Sequence, residues 1–348
     1  MVIYSAPGVR ETRNGRIHES QTVLTTSVDQ LRLLTKIAVL YHEEHLGQAE
    51  VAQKLNISQA RVSRYLKHAA ELGIVRTSVV QPPGISVGLE KALEEKYGLR
   101  EVVVVENLEG FSSVTRIGMS AAKYLEATLD ASDFVGISSW STTLVATVEA
   151  MRSRPRKVVT GVAQLIGGVG SPQAQAQSTR LTSHLAELTS AKPFYLNAPG
   201  IVSSPEVRRA FLSDPGVTDT MKSWDRLTTI LVGIGTFPAS PLFLASGNAL
   251  LSDEESELSK SGAVGEVCLR YFDSAGTPMH PAIEQRMISI ESESMRRVPR
   301  RIGVAGGPGK LAAVRGAISG GWVNVLITDS QLALQLLEPP RFDQARRH

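Results

Sequence analysis

From residue 89 onward, short runs rich in β-branched apolar residues alternate with segments of helical periodicity. Strands are predicted at Glu101–Val105, Phe134–Ser138 and Thr229–Ile234, and a helix is predicted at Ser113–Leu129. Strands that are apolar on both faces are typical of parallel sheets, because crossover helices cover such sheets on each side. The alternation therefore predicts an α/β fold with a Rossmann-like parallel sheet.

The segment Gln81–Gly84 precedes this alternation and interrupts the chain, because its two prolines and its glycine stop a helix. At roughly 100–200 residues per domain, a chain of 348 residues accommodates two domains. Helical periodicity fills most of the shorter part, and the β-branched run Ile74–Val80 predicts a strand at its end. We expect the following segments: a mobile tail at 1–27, a helical domain at 28–80, a linker at 81–88, an α/β domain at 89–337 and a charged tail at 338–348.

Composition excludes several classes of protein. Cys268 is the only cysteine, which rules out an intrachain disulfide framework and a zinc ribbon and indicates a reducing compartment. Residues 1–20 lack the apolar segment of a signal peptide, and no run of about 18 apolar residues indicates a membrane span. The net charge is only +3, so local clusters of charge must indicate the partners. We expect a cytoplasmic protein with no membrane partner, no metal site and no cofactor.

Residues 48–67 have the pattern of a helix-turn-helix. Ala52 is small where two helices would cross, and Asn56 tolerates the positive φ of the turn. The apolar residues that would pack the two helices together are Val51, Leu55, Ile57, Val62 and Leu66. The residues left to face the major groove of double-stranded DNA are Gln59, Ala60, Ser63, Arg64 and Lys67. The alternative is a helical hairpin with a solvated charged face, but the agreement of all these positions favours DNA binding.

Two turns in the α/β part have the composition of anion sites. A strand ending near Ser138 leads through Ser141 into a helix beginning near Thr142, which would aim N–H and hydroxyl groups at a phosphate. The alternative for this turn is a helix cap without a ligand. The glycine-rich turn 303–309 places Lys310 at another helix start, without the spacing of a Walker A motif. Both turns follow the carboxyl ends of strands, where open α/β sheets bind ligands, so they could converge on one anion.

Four stretches of the sequence resemble the SorC family of bacterial transcriptional regulators, which is sometimes grouped with the DeoR regulators. They are LNISQARVSRYLKHAAELGIV at 55–75, AQLIGGVG at 163–170, GAVGEVCLRYFDSAGTPM at 262–279 and IGVAGGPGKLAAVRGAISGGWVNVLITD at 302–329. The resemblance covers about residues 30–337. It implies an N-terminal helix-turn-helix and a C-terminal effector domain similar to the sugar-phosphate isomerase and CoA-transferase folds.

The resemblance also implies partners and site residues. Members of the family usually sense a phosphorylated sugar or a sugar alcohol, and they are commonly homodimers or homotetramers. Carried over by position, the effector pocket comprises Trp140, Ser141, Thr142, Thr143, Gln164, Glu266 and Lys310. The chain departs from the family pattern at two of these positions, because Ser141 replaces a usual glycine and Glu266 replaces a usual aspartate. Both departures bear on the identity of the ligand and on its phosphorylation.

Several residues of this part have two interpretations. Trp140 could stack on a sugar or cover the end of the sheet. Glu266 could bind ligand hydroxyl groups or pair with Arg270. The run VCLRYF after Glu266 predicts one apolar strand with Cys268 as a buried core thiol, and the polar stretch 214–225 predicts a solvated loop.

These patterns together predict a transcriptional regulator, a repressor of a sugar or polyol operon whose affinity for DNA is controlled by its effector. No catalytic residues are predicted, because the sequence contains no nucleophile elbow and no cysteine–histidine pair. One alternative is a sugar-phosphate isomerase or deaminase fused to a DNA-binding domain. Another is a constitutive DNA-binding protein whose α/β part serves only for assembly.

Overall fold

The computed structural model describes residues 27–77, 86–107, 112–153, 158–170, 172–238 and 250–339. The chain divides into two compact units between residues 80 and 81. Within the described ranges, no helix combines the length and the apolar character that a membrane span requires.

The first unit contains three helices, α1 (Val28–His42), α2 (Gln48–Leu55) and α3 (Gln59–Glu71). The turn between α2 and α3 is stabilised locally. Asn56 adopts a φ of +52° at the end of α2, and the Ser58 hydroxyl caps α3 by accepting a hydrogen bond from the Arg61 N–H at 3.3 Å. The buried residues that join the three helices are Ile37, Leu40, Val51, Ala52 and Val62.

The predicted strand at Ile74–Val80 does not form over residues 74–77, and residues 78–80 lie outside the described ranges. The backbone N–H groups of Ile74 and Val75 instead donate to the Ala69 carbonyl, at 2.9 and 3.2 Å. The two side chains pack against a buried cluster that includes Leu34. The β-branched run therefore closes the end of α3, because it finds apolar contacts there without a partner strand.

The second unit is built around a seven-stranded parallel sheet, which confirms the predicted fold class. The strands of the unit are β1 (Glu101–Val105), β2 (Phe134–Ile137), β3 (Gly161–Gln164), β4 (Lys192–Phe194), β5 (Thr229–Gly233), β6 (Gly235–Thr236), β7 (Gly265–Val267), β8 (Arg270–Phe272), β9 (Arg300–Val304) and β10 (Val325–Asp329). The order in the large sheet is β1-β10-β9-β5-β2-β3-β4, and β6, β7 and β8 form a small separate sheet.

The described residues of the second unit form ten α-helices. They are α4 (Val87–Tyr97), α5 (Ser113–Thr128), α6 (Thr142–Ala150), α7 (Pro172–Leu188), α8 (Pro205–Ser213), α9 (Pro215–Ser223), α10 (Ser252–Lys260), α11 (Ser292–Arg297), α12 (Leu311–Ser319) and α13 (Ser330–Leu337). Along β5, Ile230 and Val232 join one buried apolar cluster, and Leu231 joins another. This alternation buries both faces, as a parallel sheet requires.

Three parts of this unit differ from the sequence predictions. Helix α4 begins at Val87, inside the expected linker 81–88, of which residues 81–85 lie outside the described ranges. The stretch 214–225 is mostly helical, because the Asp214 carboxylate caps α9 by accepting a hydrogen bond from the Gly216 N–H at 2.9 Å. The expected tails at 1–27 and 338–348 lie almost entirely outside the described ranges.

The predicted single strand VCLRYF is instead an antiparallel hairpin of β7 and β8. Cys268 and Leu269 form its two-residue turn, with φ values of +55° and +67°. A two-residue hairpin loop of the common type requires positive φ at both residues, which asparagine and glycine adopt more readily than cysteine or leucine. The Glu266 carboxylate accepts a hydrogen bond from the Leu269 N–H at 2.8 Å and so supports this turn. Cys268 is buried, as predicted.

Candidate functional site

A cavity of about 440 Å³ lies at the carboxyl ends of the central strands of the second unit. Ser138 follows β2, Gly233 ends β5 and Val304 ends β9, and all three line the cavity. From the centre of the sheet, β2, β3 and β4 are added in turn toward one edge, and β5, β9 and β10 are added in turn toward the other edge. The cavity therefore opens where the direction of strand addition reverses, the usual ligand position in open α/β folds.

Six of the seven predicted effector residues line this one cavity. They are Trp140, Ser141, Thr142, Thr143, Glu266 and Lys310. They come from the loop after β2, the start of α6, strand β7 and the turn before α12. The fold thus brings together segments that are far apart in the sequence.

The structure places the seventh residue, Gln164, elsewhere. Its side chain is 2% exposed, and its carbonyl oxygen accepts a hydrogen bond from the Leu196 N–H at 2.9 Å. Its amide nitrogen donates to the hydroxyls of Ser178 and Ser139. Gln164 is therefore part of a buried network and is absent from the cavity wall.

The first predicted turn combines a cap with a free helix start. The Ser141 hydroxyl accepts a hydrogen bond from the Leu144 N–H at 3.3 Å, so Ser141 is the N-cap of α6. Thr142 and Thr143 form the first turn of the helix and line the cavity. The first N–H groups of a helix have no partner within it, and its amino end carries partial positive charge. The cap and the anion cradle are therefore compatible, since they use different groups.

A glycine on β5 makes this arrangement possible. A Cβ atom at Gly233 would lie 2.7 Å from the Ser141 hydroxyl oxygen, closer than packed atoms tolerate. The serine side chain thus occupies space that any larger residue at position 233 would need.

The second predicted turn contributes a cation to the cavity, and one of its backbone N–H groups is already bonded within the protein. The Gly307 N–H donates to the Asp329 carboxylate at 2.6 Å, and Asp329 is 1% exposed. The Lys310 ammonium lines the cavity and donates to the Ile234 carbonyl at 2.7 Å. The N–H of Gly307 is therefore committed to the protein, and Lys310 is a group of this turn that can meet an anion.

Burial and mutual attraction set the protonation of the two ionisable groups in the cavity. Burial lowers the pKa of Lys310, and the nearby Glu266 carboxylate opposes this effect. Burial raises the pKa of Glu266, and this is opposed by the Leu269 N–H and the Lys310 charge. In their charged forms Lys310 offers a cation to an anionic group and Glu266 accepts hydrogen bonds from hydroxyl groups, and burial opposes both charged forms.

The structure also bears on the alternative interpretations of Trp140 and Glu266. Arg270 forms ion pairs with Glu284 at 3.2 Å and with Glu291 at 3.0 Å, so Glu266 remains in the cavity wall. Trp140 both lines the cavity and packs against the core at the end of the sheet. Its two interpretations are therefore not exclusive.

Tyr271 and Gly235 also line the cavity, and neither was predicted from the sequence. Tyr271 lies directly opposite Glu266 in the β7–β8 hairpin. A Cβ atom at Gly235 would overlap the Glu266 carboxylate. The alternation of side chains would have placed Tyr271 beside Glu266 if the hairpin turn had been recognised, but Cys-Leu is not a turn signal.

In the first unit, the predicted DNA-contacting residues of α3 are all exposed. They are Gln59, Ala60, Ser63, Arg64 and Lys67. Val62 lies on the opposite side of the helix and is fully buried. Beside the exposed face, Arg61 donates through Nε to the Tyr65 hydroxyl at 2.8 Å.

Comparison with known proteins places the chain among regulators. A family model for a sugar-binding domain matches residues 82–338. The deoxyribonucleoside regulator of Bacillus subtilis (strain 168) is 32% identical over 311 residues, which cover 89% of this chain and 98% of that protein. The sorbitol operon regulator of Klebsiella pneumoniae is 30% identical over 318 residues, which cover 89% and 99%.

The fold agrees with a solved structure along nearly the whole chain. The crystal structure of the full-length sorbitol operon regulator SorC from Klebsiella pneumoniae matches with a TM-score of 0.68 at 27% identity. The match covers 90% of this chain and 100% of that chain. These similar proteins are transcriptional regulators and not enzymes.

Proposed function

Because the chain belongs to the SorC/DeoR-type family of sugar-binding transcriptional regulators, we propose that a phosphorylated sugar or sugar alcohol in its cavity controls its affinity for an operator. The observation that carries the proposal is the meeting of Lys310, the amino end of α6 and Glu266 in one cavity. A phosphate suits the cation and the helix start, and sugar hydroxyl groups suit the carboxylate.

DNA recognition is assigned to α3. Its exposed side chains would enter the major groove, with Arg64 and Lys67 meeting base edges or phosphates and Gln59, Ala60 and Ser63 completing the face. The unit has no requirement for these side chains in its core, because none of them is buried. The proposal places the protein in the cytoplasm, where the operator lies.

The coupling between the two sites is conformational in this proposal. The chain acts as a homodimer or homotetramer, and the effector changes the packing between second units. That change alters the spacing of the two α3 helices, on which operator affinity depends because half-sites lie at fixed helical intervals. The expected sign is repression of a sugar or polyol operon that the effector relieves.

The effector test is a thermal-shift screen of the full chain against matched pairs of sugars, polyols and their phosphates. A ligand that binds only the folded state adds about 2.7 kcal/mol of stability at a hundred times its dissociation constant. We expect a phosphorylated member of one pair to raise the melting temperature and its unphosphorylated partner to have a smaller effect. A screen in which no compound raises the melting temperature would count against the effector proposal.

The DNA test uses a duplex selected by the protein from a randomised library. Addition of the stabilising compound should change the affinity for that duplex, and Arg64→Ala should weaken it. Affinity that is indifferent to a compound that binds would favour the constitutive alternative.

A further inference from the structure

Two buried polar atoms in the cavity wall have no hydrogen-bond partner among the described residues. They are the Tyr271 hydroxyl and the Trp140 indole nitrogen. Tyr271 is only 2% exposed. Buried polar groups in folded proteins are nearly always paired, because an unpaired group loses its bonds to water without replacement. Both side chains line the cavity, so a ligand that enters it can supply the missing partners.

The Tyr271 ring is held in place while its hydroxyl is free. The ring packs edge-on against Phe237, with ring centres 6.0 Å apart and an interplanar angle of 89°. Burial, reinforced by the charges of Glu266, Glu254 and Glu255, raises the pKa of Tyr271 well above its ordinary value. The hydroxyl thus stays protonated and offers one donor together with acceptor capacity.

The hairpin register places a complementary group beside this hydroxyl. Tyr271 and Glu266 form a cross-strand pair, and both side chains line the cavity. Directly opposed residues of an antiparallel pair have Cβ atoms roughly 4.5–5.5 Å apart. A single hydroxyl group of a ligand could therefore accept from Tyr271 and donate to Glu266, which satisfies both protein groups.

We propose that Tyr271 determines the specificity of the effector site by binding a hydroxyl group of the ligand that Glu266 also binds, while Trp140 donates to a further ligand oxygen. This inference rests on the proposed effector function and deepens it. The ligand class is a polyhydroxylated chain that carries an anionic group, with the anion near Lys310 and α6. An analogue that lacks the shared hydroxyl leaves the Tyr271 hydroxyl unpaired and Glu266 with only its bond to the Leu269 N–H, so it is rejected.

The first arm of the test measures the unfolding of the ligand-free chain. Tyr271→Phe removes a hydroxyl that has no protein partner, so we expect the urea midpoint to stay the same or to rise. Tyr124→Phe is the matched control, because the Tyr124 hydroxyl donates to Glu101 at 2.7 Å, and its loss should lower the midpoint. A midpoint that falls as far for Tyr271→Phe as for the control would overturn the inference.

The second arm measures ligand binding by thermal shift and calorimetry with named probes. These are inorganic phosphate, ribose 5-phosphate, 2-deoxyribose 5-phosphate, fructose 6-phosphate and sorbitol 6-phosphate. Tyr271→Phe should lower the affinity for the best-binding sugar or polyol phosphate by about five- to tenfold and leave the affinity for inorganic phosphate unchanged. Trp140→Phe keeps an aromatic ring and removes the N–H. It should also lower the affinity for that compound and leave the affinity for inorganic phosphate unchanged.

The outcomes separate this inference from the proposed function. A sugar or polyol phosphate that binds the wild type and Tyr271→Phe equally would overturn the inference and leave the effector function standing. If no sugar or polyol phosphate binds the wild type better than inorganic phosphate does, the effector function fails, and the inference fails with it.

Discussion

The exposed face of α3 and the cavity of the second unit hold their functional groups in opposite ways. On α3, Arg64 and Lys67 are exposed and do not belong to the buried cluster that joins the three helices. In the cavity wall, the Lys310 ammonium is bound to the Ile234 carbonyl, and the Glu266 carboxylate supports the Leu269 turn. Function and stability should therefore separate cleanly on α3 and remain coupled in the cavity.

The largest effect should come from Asp329→Ala, which removes a buried carboxylate behind the second turn. Asp329 accepts hydrogen bonds from the N–H groups of Gly307 at 2.6 Å and Leu332 at 2.9 Å. Its loss leaves buried donors unpaired and removes the cap of α13, so we expect a loss of about 3 kcal/mol in the free energy of unfolding. Urea denaturation measures it, with Lys67→Ala as the exposed control. A loss under about 1 kcal/mol would contradict the structural role of Asp329 behind the second turn.

Lys310→Met should weaken effector binding by about a hundredfold, because the cavity loses the cation that faces the anionic group. Affinity of the effector-free protein for the selected duplex should stay unchanged. Calorimetry and fluorescence anisotropy measure the two quantities. An equal loss of DNA affinity would show that Lys310 acts on the DNA-binding unit and not only through the effector.

Arg64→Ala should weaken binding to the selected duplex by about tenfold, since it removes a cation from the exposed face of α3. The free energy of unfolding should change by no more than about 0.5 kcal/mol, as for other exposed surface positions. Anisotropy titrations and urea denaturation test the two halves of this prediction. A large loss of stability would show that Arg64 stabilises the fold, so function and stability would not be separate on α3.

The same contrast explains how much the sequence could predict. The caps and turns of α2 and α3 depend on residues within a few positions, such as Asn56 and Ser58, and the structure confirms both helices. The parallel strands were also predictable, because β-branched runs are local signals. These elements need no knowledge of distant contacts.

The cavity depends on contacts that no local pattern reports. Gln164 was expected in the effector pocket, but Leu196 and Ser178 bind its side chain after the sheet has formed. The Cys268–Leu269 turn adopts positive φ without a glycine or asparagine, so its hairpin and the position of Tyr271 were not predictable. Long-range packing decides these features.

A pH titration should reveal the buried carboxylate of the cavity. Burial raises the pKa of Glu266, so the folded protein retains this proton at a pH at which the unfolded chain has lost it. The stability from this group is complete below the unfolded pKa and is lost as pH rises through the folded pKa. Wild-type stability should therefore fall with rising pH relative to Glu266→Gln. Stability curves of the two proteins that stay parallel as the pH rises above 4.5, the ordinary pKa of the group, would contradict the raised pKa.

The smallest expected effect concerns a side-chain contact beside the exposed face of α3. The Arg61 guanidinium is bound by the Tyr65 hydroxyl at 2.8 Å and lies 5.3 Å from the centre of the tyrosine ring. Tyr65→Phe keeps the ring, which packs against the core, and frees the arginine. An arginine held in place loses less conformational entropy on contacting a phosphate, so Tyr65→Phe should weaken DNA binding by about two- to threefold.

A double-mutant cycle assigns that effect to Arg61. Arg61→Ala should weaken binding and reduce the dependence of log affinity on log salt by about 0.9, which corresponds to one phosphate contact. In the Arg61→Ala background, Tyr65→Phe should have no further effect, because the side chain that it orders is gone. Additive losses would show that Tyr65 contributes to DNA binding independently of Arg61. The exposed face would then lack the coupling between side chains that the cavity wall shows.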